Sequence, residues 1–178
     1  MDRWELAVRE RIRDVIARVA IAGDALKLDD YLAGFCPEAV LERRGASAST
    51  GHAEIRARLS GLAGRTDPGT AVTAGVPAPR VVRHSVTNVS FVSVTPEEAR
   101  TDSYFTVFSN IGIDHFGRYR DRWIPFGDHW RIQHRLVTVD WYADNSAFGG
   151  GGNANGEGQA WSIRPLPSNC RSTSRRSR

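Results

Sequence analysis

The chain has 178 residues, 40% hydrophobic and 25% charged, the make-up of one globular domain with a hydrophobic core and not of a fibrous or membrane-spanning chain. Its formal charge of +4 rests on a tail: taking away the five arginines at 164, 171, 175, 176 and 178 leaves residues 1–163 at −1, so specific nucleic-acid binding is not expected. No apolar run approaches the roughly 20 residues of a membrane helix, and the start MDRWELAVRERIRD lacks a signal-peptide stretch, so a cytoplasmic protein is expected.

Residues 4–23 carry Val8, Ile12, Val15, Ile16 and Val19 at 3.6-residue spacing, which predicts an amphipathic helix stopped at Gly23-Asp24. A second short helix is expected over Leu28–Phe35, closed by Pro37, followed by a short strand over Val40–Arg43. A third helix is expected from Ser49 to Leu62, with Thr50 as its capping residue and Ile55, Leu59 and Leu62 as its apolar stripe. Residues 63–79 are rich in Gly, Pro, Thr and Ala without a period, and read as a mobile loop, either a lid or a surface excursion.

From residue 80 to 140 come four β-like segments, VVRHSVTNVSFVSV, ARTDSYFTVFSNIG, HFGRYRDRWIP and HWRIQHRLVTVDW, separated by short turns. Such close spacing favours antiparallel neighbours, since parallel pairing needs a longer crossover. The order ααβαββββ implies an α+β fold in which three helices pack on a strongly curved, mainly antiparallel sheet that leaves a hollow at its open end. The folded unit is expected over residues 1–145, and the Gly-rich then Ser/Arg-rich stretch 146–178 is expected to be a disordered tail.

Cys36 and Cys170 form no CxxC pair, and the sequence shows no metal cluster, Gly-rich phosphate loop or nucleophile elbow, so neither a metal nor a cofactor is expected. On the last segment Arg135 alternates with Val137, Val139 and Trp141, but also with Arg131 and Gln133. It either faces the hollow, where a guanidinium could hold an anion, or pairs with Asp121 or Asp140. His115 alternates with Gly117 and Tyr119 and is either a pocket histidine or a solvated residue beside a turn. Arg118, Arg120 and Arg122 fall on the opposite face from Tyr119 and Trp123, a solvated or subunit-facing surface.

Three stretches carry a family resemblance: AIAGDALKLDDYLAGFCPEAVLE, RHSVTNVSFVSV with its H-x-x-T-N pattern, and GRYRDRWIPFGDHWRIQHRLVTVDW with its G-x-Y-x-D-x-W and W-R-I-x-x-R-x-x-x-x-D patterns. Together, over about residues 5–142, they resemble the NTF2-like superfamily of SnoaL-like proteins, whose cone-shaped fold hosts lyases, isomerases and non-catalytic subunits. The nearest patterns are those of hexachlorocyclohexane dehydrochlorinase and scytalone dehydratase. What the resemblance implies is a base at His84, oriented by Asp24, with Arg135 as third catalytic residue and pocket positions at Phe105, Val107, Gly117 and Tyr119. Val19, Phe35 and Val139 are counted with the substrate-binding set. Two departures stand out: Val19 occupies the place of a helper lysine or tyrosine, and the second catalytic histidine of scytalone dehydratase falls on Phe105.

The expected function is that of a cofactor-independent lyase or isomerase, of dehydratase or dehydrohalogenase type, acting on a small apolar cyclic substrate. The alternative is a non-catalytic ligand-binding or assembly subunit, similar to the small subunit of aromatic-ring dioxygenases. A homo-oligomer, dimer or trimer, is expected to pack through the outer sheet face with Trp123 and the arginines.

Overall fold

The computed structural model describes residues 2–63 and 81–148. The loop expected over 63–79, past its first residue, and the tail expected over 146–178, past residue 148, lie outside the described residues. Helix α1 spans Arg3–Asp24, α2 Leu28–Ala33 and α3 Gly51–Ala63; the strands are β1 Phe35–Arg43, β2 Ser49–Thr50, β3 Val82–Val94, β4 Ala99–Ser109, β5 Gly112–Phe126 and β6 His129–Tyr142. The strands form one α+β sheet in the order β2-β1-β6-β5-β4-β3, with only β1 and β6 parallel. Among the described residues no helix is long and apolar enough to cross a membrane.

Helix α1 starts at Asp2, whose carboxylate accepts from the Glu5 N–H at 2.8 Å. Its stripe Val8, Ile12, Val15, Ile16 and Val19 is buried, as the spacing predicts. Past Asp24 the chain turns through Leu26, a non-glycine residue at φ 55° that swings it into α2.

Two boundaries differ from expectation. Phe35 does not end α2 but opens β1, level with Ile132 of β6, while the Gly34 carbonyl accepts from the Ile132 N–H at 2.9 Å. Pro37 lies where the β1–β6 register shifts, between Phe35 and Val40, so its missing N–H interrupts a place without regular pairing. Ser49–Thr50 is a two-residue strand against β1 rather than the first turn of α3, and Glu54 reaches back to accept from the Thr50 N–H at 2.7 Å.

Bulges decide which way β3, β5 and β6 face. Asn88, the asparagine of H-x-x-T-N, has φ 53° at the register shift in β3, a conformation asparagine tolerates better than most residues. In β6 the register shifts between the pairs Trp123–Ile132 and Arg122–His134, and again between Phe116–Trp141 and Gly117–Val139. Val137, Val139 and Arg135 therefore share the inner face, but Trp141 does not: it is exposed and stacks on Phe116.

The interior has two parts. The larger joins α1, α2, α3 and β1 to Ala99, Trp123, Trp130 and Ile132 at one end of the sheet; the smaller is Phe105, Val107, Tyr119 and Val139. Trp123, expected on the outer face, is fully buried and its indole N–H donates to Thr101 Oγ1 at 2.9 Å. Arg118 and Arg122 do face outward, each held by a carboxylate: Asp140 on β6 and Glu98 beside β4. Arg120 lies 3.9 Å from Asp102. The outer face is thus charge-balanced.

Candidate functional site

Between α1, α2 and the inner faces of β3–β6 lies a cavity of about 350 Å³, a size suited to a small organic ligand. Strand pairing arranges the inner face of the sheet in rows. His84, Val107, His115 and Tyr142 lie side by side on β3, β4, β5 and β6, and the next row is Val86, Phe105, Gly117 and Val139. Deeper still, Tyr119 pairs with Val137, and Asp121 with Arg135.

His84 comes from the second residue of β3 after Val82, and Asp24 from the last turn of α1. A carboxylate there sits at the unfavourable, negative end of the helix dipole. It is compensated by His84, whose Nδ1 lies 2.6 Å from Asp24 Oδ1 and whose backbone N–H donates to Oδ2 at 3.0 Å. An ionised carboxylate only accepts, so Nδ1 carries the hydrogen and Nε2 is left as the lone-pair nitrogen of the neutral ring. Both residues line the cavity.

Arg135 also lines the cavity and at the same time pairs with Asp121. Its Nε and Nη2 donate to the two carboxylate oxygens at 2.8 and 2.7 Å, a bidentate and fully buried pair. Asp140, the other partner considered, holds Arg118 instead. Burial alone would lower the Arg135 pKa, but the Asp121 charge and hydrogen bonds outweigh it and raise it, so the guanidinium stays charged. Its Cζ lies 4.3 Å from the Tyr119 ring centroid, and its charge also acts on Tyr31. Burial raises the pKa of both tyrosines against the pull of Arg135, keeping their hydroxyls protonated at neutral pH.

Of the expected substrate-binding residues, Val19, Val107 and Tyr119 line the cavity, whereas Phe35, Phe105 and Val139 do not. Phe35 packs in the core behind Tyr31, ring centroids 5.0 Å apart, because β1 begins at it. Phe105 and Val139 close over Gly117: a Cβ there would meet Thr138 O at 2.0 Å, Val139 Cα at 2.8 Å and Phe105 Cζ at 3.0 Å. The missing side chain lets the Phe105 ring lie flat on Tyr119 at 4.4 Å instead of standing into the cavity.

His115 takes the pocket alternative. Its Nδ1 lies 2.7 Å from Asp114 Oδ1, and its ring is stacked on Tyr142 and covered by Phe148. Burial lowers its pKa against the opposing pull of Asp114, and His84 and Arg43 push it the same way. Sequence reasoning missed Asp114, Tyr31 and Phe148. Asp114 sits at the β4–β5 register shift, which no alternation pattern reveals; Tyr31 could have been found as the one aromatic residue in α2. Among the described residues no cluster of three or more His, Cys, Asp or Glu could hold a metal.

The family model of the SnoaL-like domain matches residues 4–136, and the chain belongs to that family. No curated protein matches it. Among solved structures it is similar to a cystatin-like-fold protein of unknown function from Nostoc punctiforme, at 20% identity and TM-score 0.62 over 74% of this chain and 90% of that one. A scytalone dehydratase-like protein from Novosphingobium aromaticivorans aligns at 16% identity and TM-score 0.65 over 79% of this chain and 89% of the other. LinA, a hexachlorocyclohexane dehydrochlorinase, aligns at 13% identity and TM-score 0.64 over 78% and 89%. At such identities the likeness carries the fold, NTF2-like and cystatin-like, and not the reaction.

Proposed function

We propose that this member of the SnoaL-like family is a cofactor-independent lyase or isomerase in which His84 takes a proton from a small, mostly apolar cyclic substrate. The observation that carries the reading is the 2.6 Å contact of His84 Nδ1 with Asp24 at the cavity wall. Asp24 fixes the tautomer and balances the charge of the imidazolium when Nε2 takes the proton. The C–H electron pair then passes into a new double bond, either expelling a group from the neighbouring carbon or forming an enolate. Arg135, neutralised by Asp121, acts through its remaining N–H dipole together with the Tyr31 and Tyr119 hydroxyls, rather than as an unpaired cation. The fold it shares with a scytalone dehydratase-like protein and with LinA is compatible with the lyase class, which rests here on the His84–Asp24 geometry.

The test is deuterium exchange in D₂O at the α-carbon of two probe ketones, cyclohexanone and 2-indanone, followed by NMR. The wild type is expected to accelerate washout, and His84→Gln, which keeps a hydrogen-bonding side chain, to lose about 10²–10⁴-fold of that acceleration with an unchanged melting curve. Equal rates in the two proteins would end the base assignment.

A non-catalytic binding or assembly role is the second reading. It is favoured by Val19, fully buried where the related enzymes carry a polar helper; binding of both ketones without exchange would select it. In either reading the exposed Tyr104, Phe108, Phe116 and Trp141 on the outer sheet face support a homo-oligomer, dimer or trimer, which light scattering would detect.

A further inference from the structure

His115 is built into the cavity by more machinery than a filler residue needs. The register shift between Val107 and Phe108 places Asp114 at a bulge, so that two successive residues, Asp114 and His115, both turn inward. The Asp114 carboxylate is 1% exposed and accepts from three donors: His115 Nδ1 at 2.7 Å, Ser146 Oγ at 2.6 Å and Ser109 Oγ at 3.1 Å. The chain after β6 is fastened to the same residue, since the Ala143 N–H donates to the Asp114 carbonyl at 2.8 Å and the Phe148 N–H to Ser146 Oγ at 3.1 Å. This clamp lays Phe148 against one side of the imidazole, while Tyr142, held by an Arg43 hydrogen bond of 2.5 Å, stacks on it at 5.1 Å. The ring cannot turn without breaking these contacts.

With Nδ1–H committed to Asp114, the neutral ring presents Nε2 as an acceptor, and it has no protein partner among the described residues. Burial lowers the His115 pKa and so favours that neutral form. His115 lines the cavity two interstrand steps, roughly 10 Å, from His84 in the same row. Around it the surroundings are apolar and aromatic: Val107 and Phe148 line the cavity beside it, and the Phe105 and Tyr142 rings pack against the imidazole from behind that lining. A buried acceptor facing an apolar cavity is complementary to a ligand that brings one donor to that spot. A hydrocarbon or halide substituent brings none, and a carboxylate brings a second acceptor.

We propose that His115, positioned by Asp114, is a second substrate-contacting residue of this cavity and accepts a hydrogen bond from a hydroxyl on the substrate, so that the pocket selects hydroxylated ring compounds over purely hydrocarbon or halogenated ones. This rests on the cavity being the substrate site, as in the reading above, but not on His84 acting as the base.

The matched probes p-cresol and p-xylene differ by one hydroxyl in place of a methyl and test it on the full-length chain. Calorimetric titration gives the ratio of their dissociation constants in the wild type, in His115→Phe and in His84→Phe. The hydroxyl preference is expected to fall about tenfold in His115→Phe and to survive in His84→Phe. In the wild type, the ¹⁵N resonance of His115 Nε2 is expected to shift with p-cresol and not with p-xylene, a readout that needs no variant to fold. An unchanged ratio in His115→Phe, a loss seen only in His84→Phe, or no p-cresol binding to the wild type would each overturn the proposal. The exchange assay on His84→Gln uses neither aromatic probe, so the base and the hydroxyl anchor can fail separately.

Discussion

The two ends of the sheet use the same inner positions in opposite ways. At the closed end the inward residues of β4, β5 and β6 are Ala99, Trp123 and Ile132, sealed by α1, α2 and α3. At the open end the same strands turn Val107, Gly117, His115 and Tyr142 inward, and β3 adds His84. The closed end buys stability by filling space. The open end keeps space, and each imidazole on its wall is backed by a carboxylate, Asp24 or Asp114. The buried Asp121–Arg135 pair stands where the two regimes meet. What separates them is the placement of bulges, since the strands are continuous.

The sharpest way to break this comparison is at the closed end. Trp123→Ala is expected to lower the unfolding free energy by about 3–5 kcal/mol, because a fully buried indole leaves a cavity behind it and Thr101 Oγ1 loses its donor. Denaturant titration would measure it. Probe binding at the open end should survive in the fraction that remains folded; loss of binding at full foldedness would mean that the two ends are not separate.

Gly117→Ala comes next and acts at the open end. A Cβ at 2.0 Å from the Thr138 carbonyl oxygen meets backbone, so β5 and β6 must part or the Phe105 ring must leave Tyr119. A cost of about 1–3 kcal/mol is expected from overpacking, together with weaker p-cresol binding as Phe105 is pushed into the cavity. A variant with wild-type stability would show that Gly117 is not what flattens this part of the wall.

The contrast also explains what could be read from the sequence. The α+β order, the α1 stripe and the inward turn of Val137 and Val139 follow from period and spacing, because packing at the closed end rewards regular repeats. The Asp24–His84 contact spans sixty residues and no pattern of spacing reaches across it; only the family resemblance suggested it. Alternation failed at each register shift. It put Trp141 inside and gave no hint that Asp114 turns in beside His115, since a bulge adds one residue without leaving a signature in composition. The oligomer expectation set Trp123 outside with the arginines, against the alternation that placed it with Tyr119, and it is fully buried. Phe105 was placed on the wall by the family resemblance and Val139 by parity, and both say which face a residue is on but not whether a neighbour covers it.

The smallest expected effect is a pH dependence confined to the open end. In the folded chain burial holds the His115 pKa below the ordinary value of about 6.5. Between those two values the unfolded chain binds more protons than the folded one, so stability rises with pH there and is lost as pH falls from about 6.5 through the folded pKa. One group contributes at most about 1.4 kcal/mol per pH unit. Denaturant titrations at a series of pH values from neutrality downward should therefore show a steeper acid loss in the wild type than in His115→Phe. Trp123→Ala, which alters no titrating group, should keep the wild-type slope while sitting lower throughout. If His115→Phe and the wild type lose stability in parallel, burial does not hold the His115 pKa down, and the acceptor rests only on the Asp114 contact that fixes the ring.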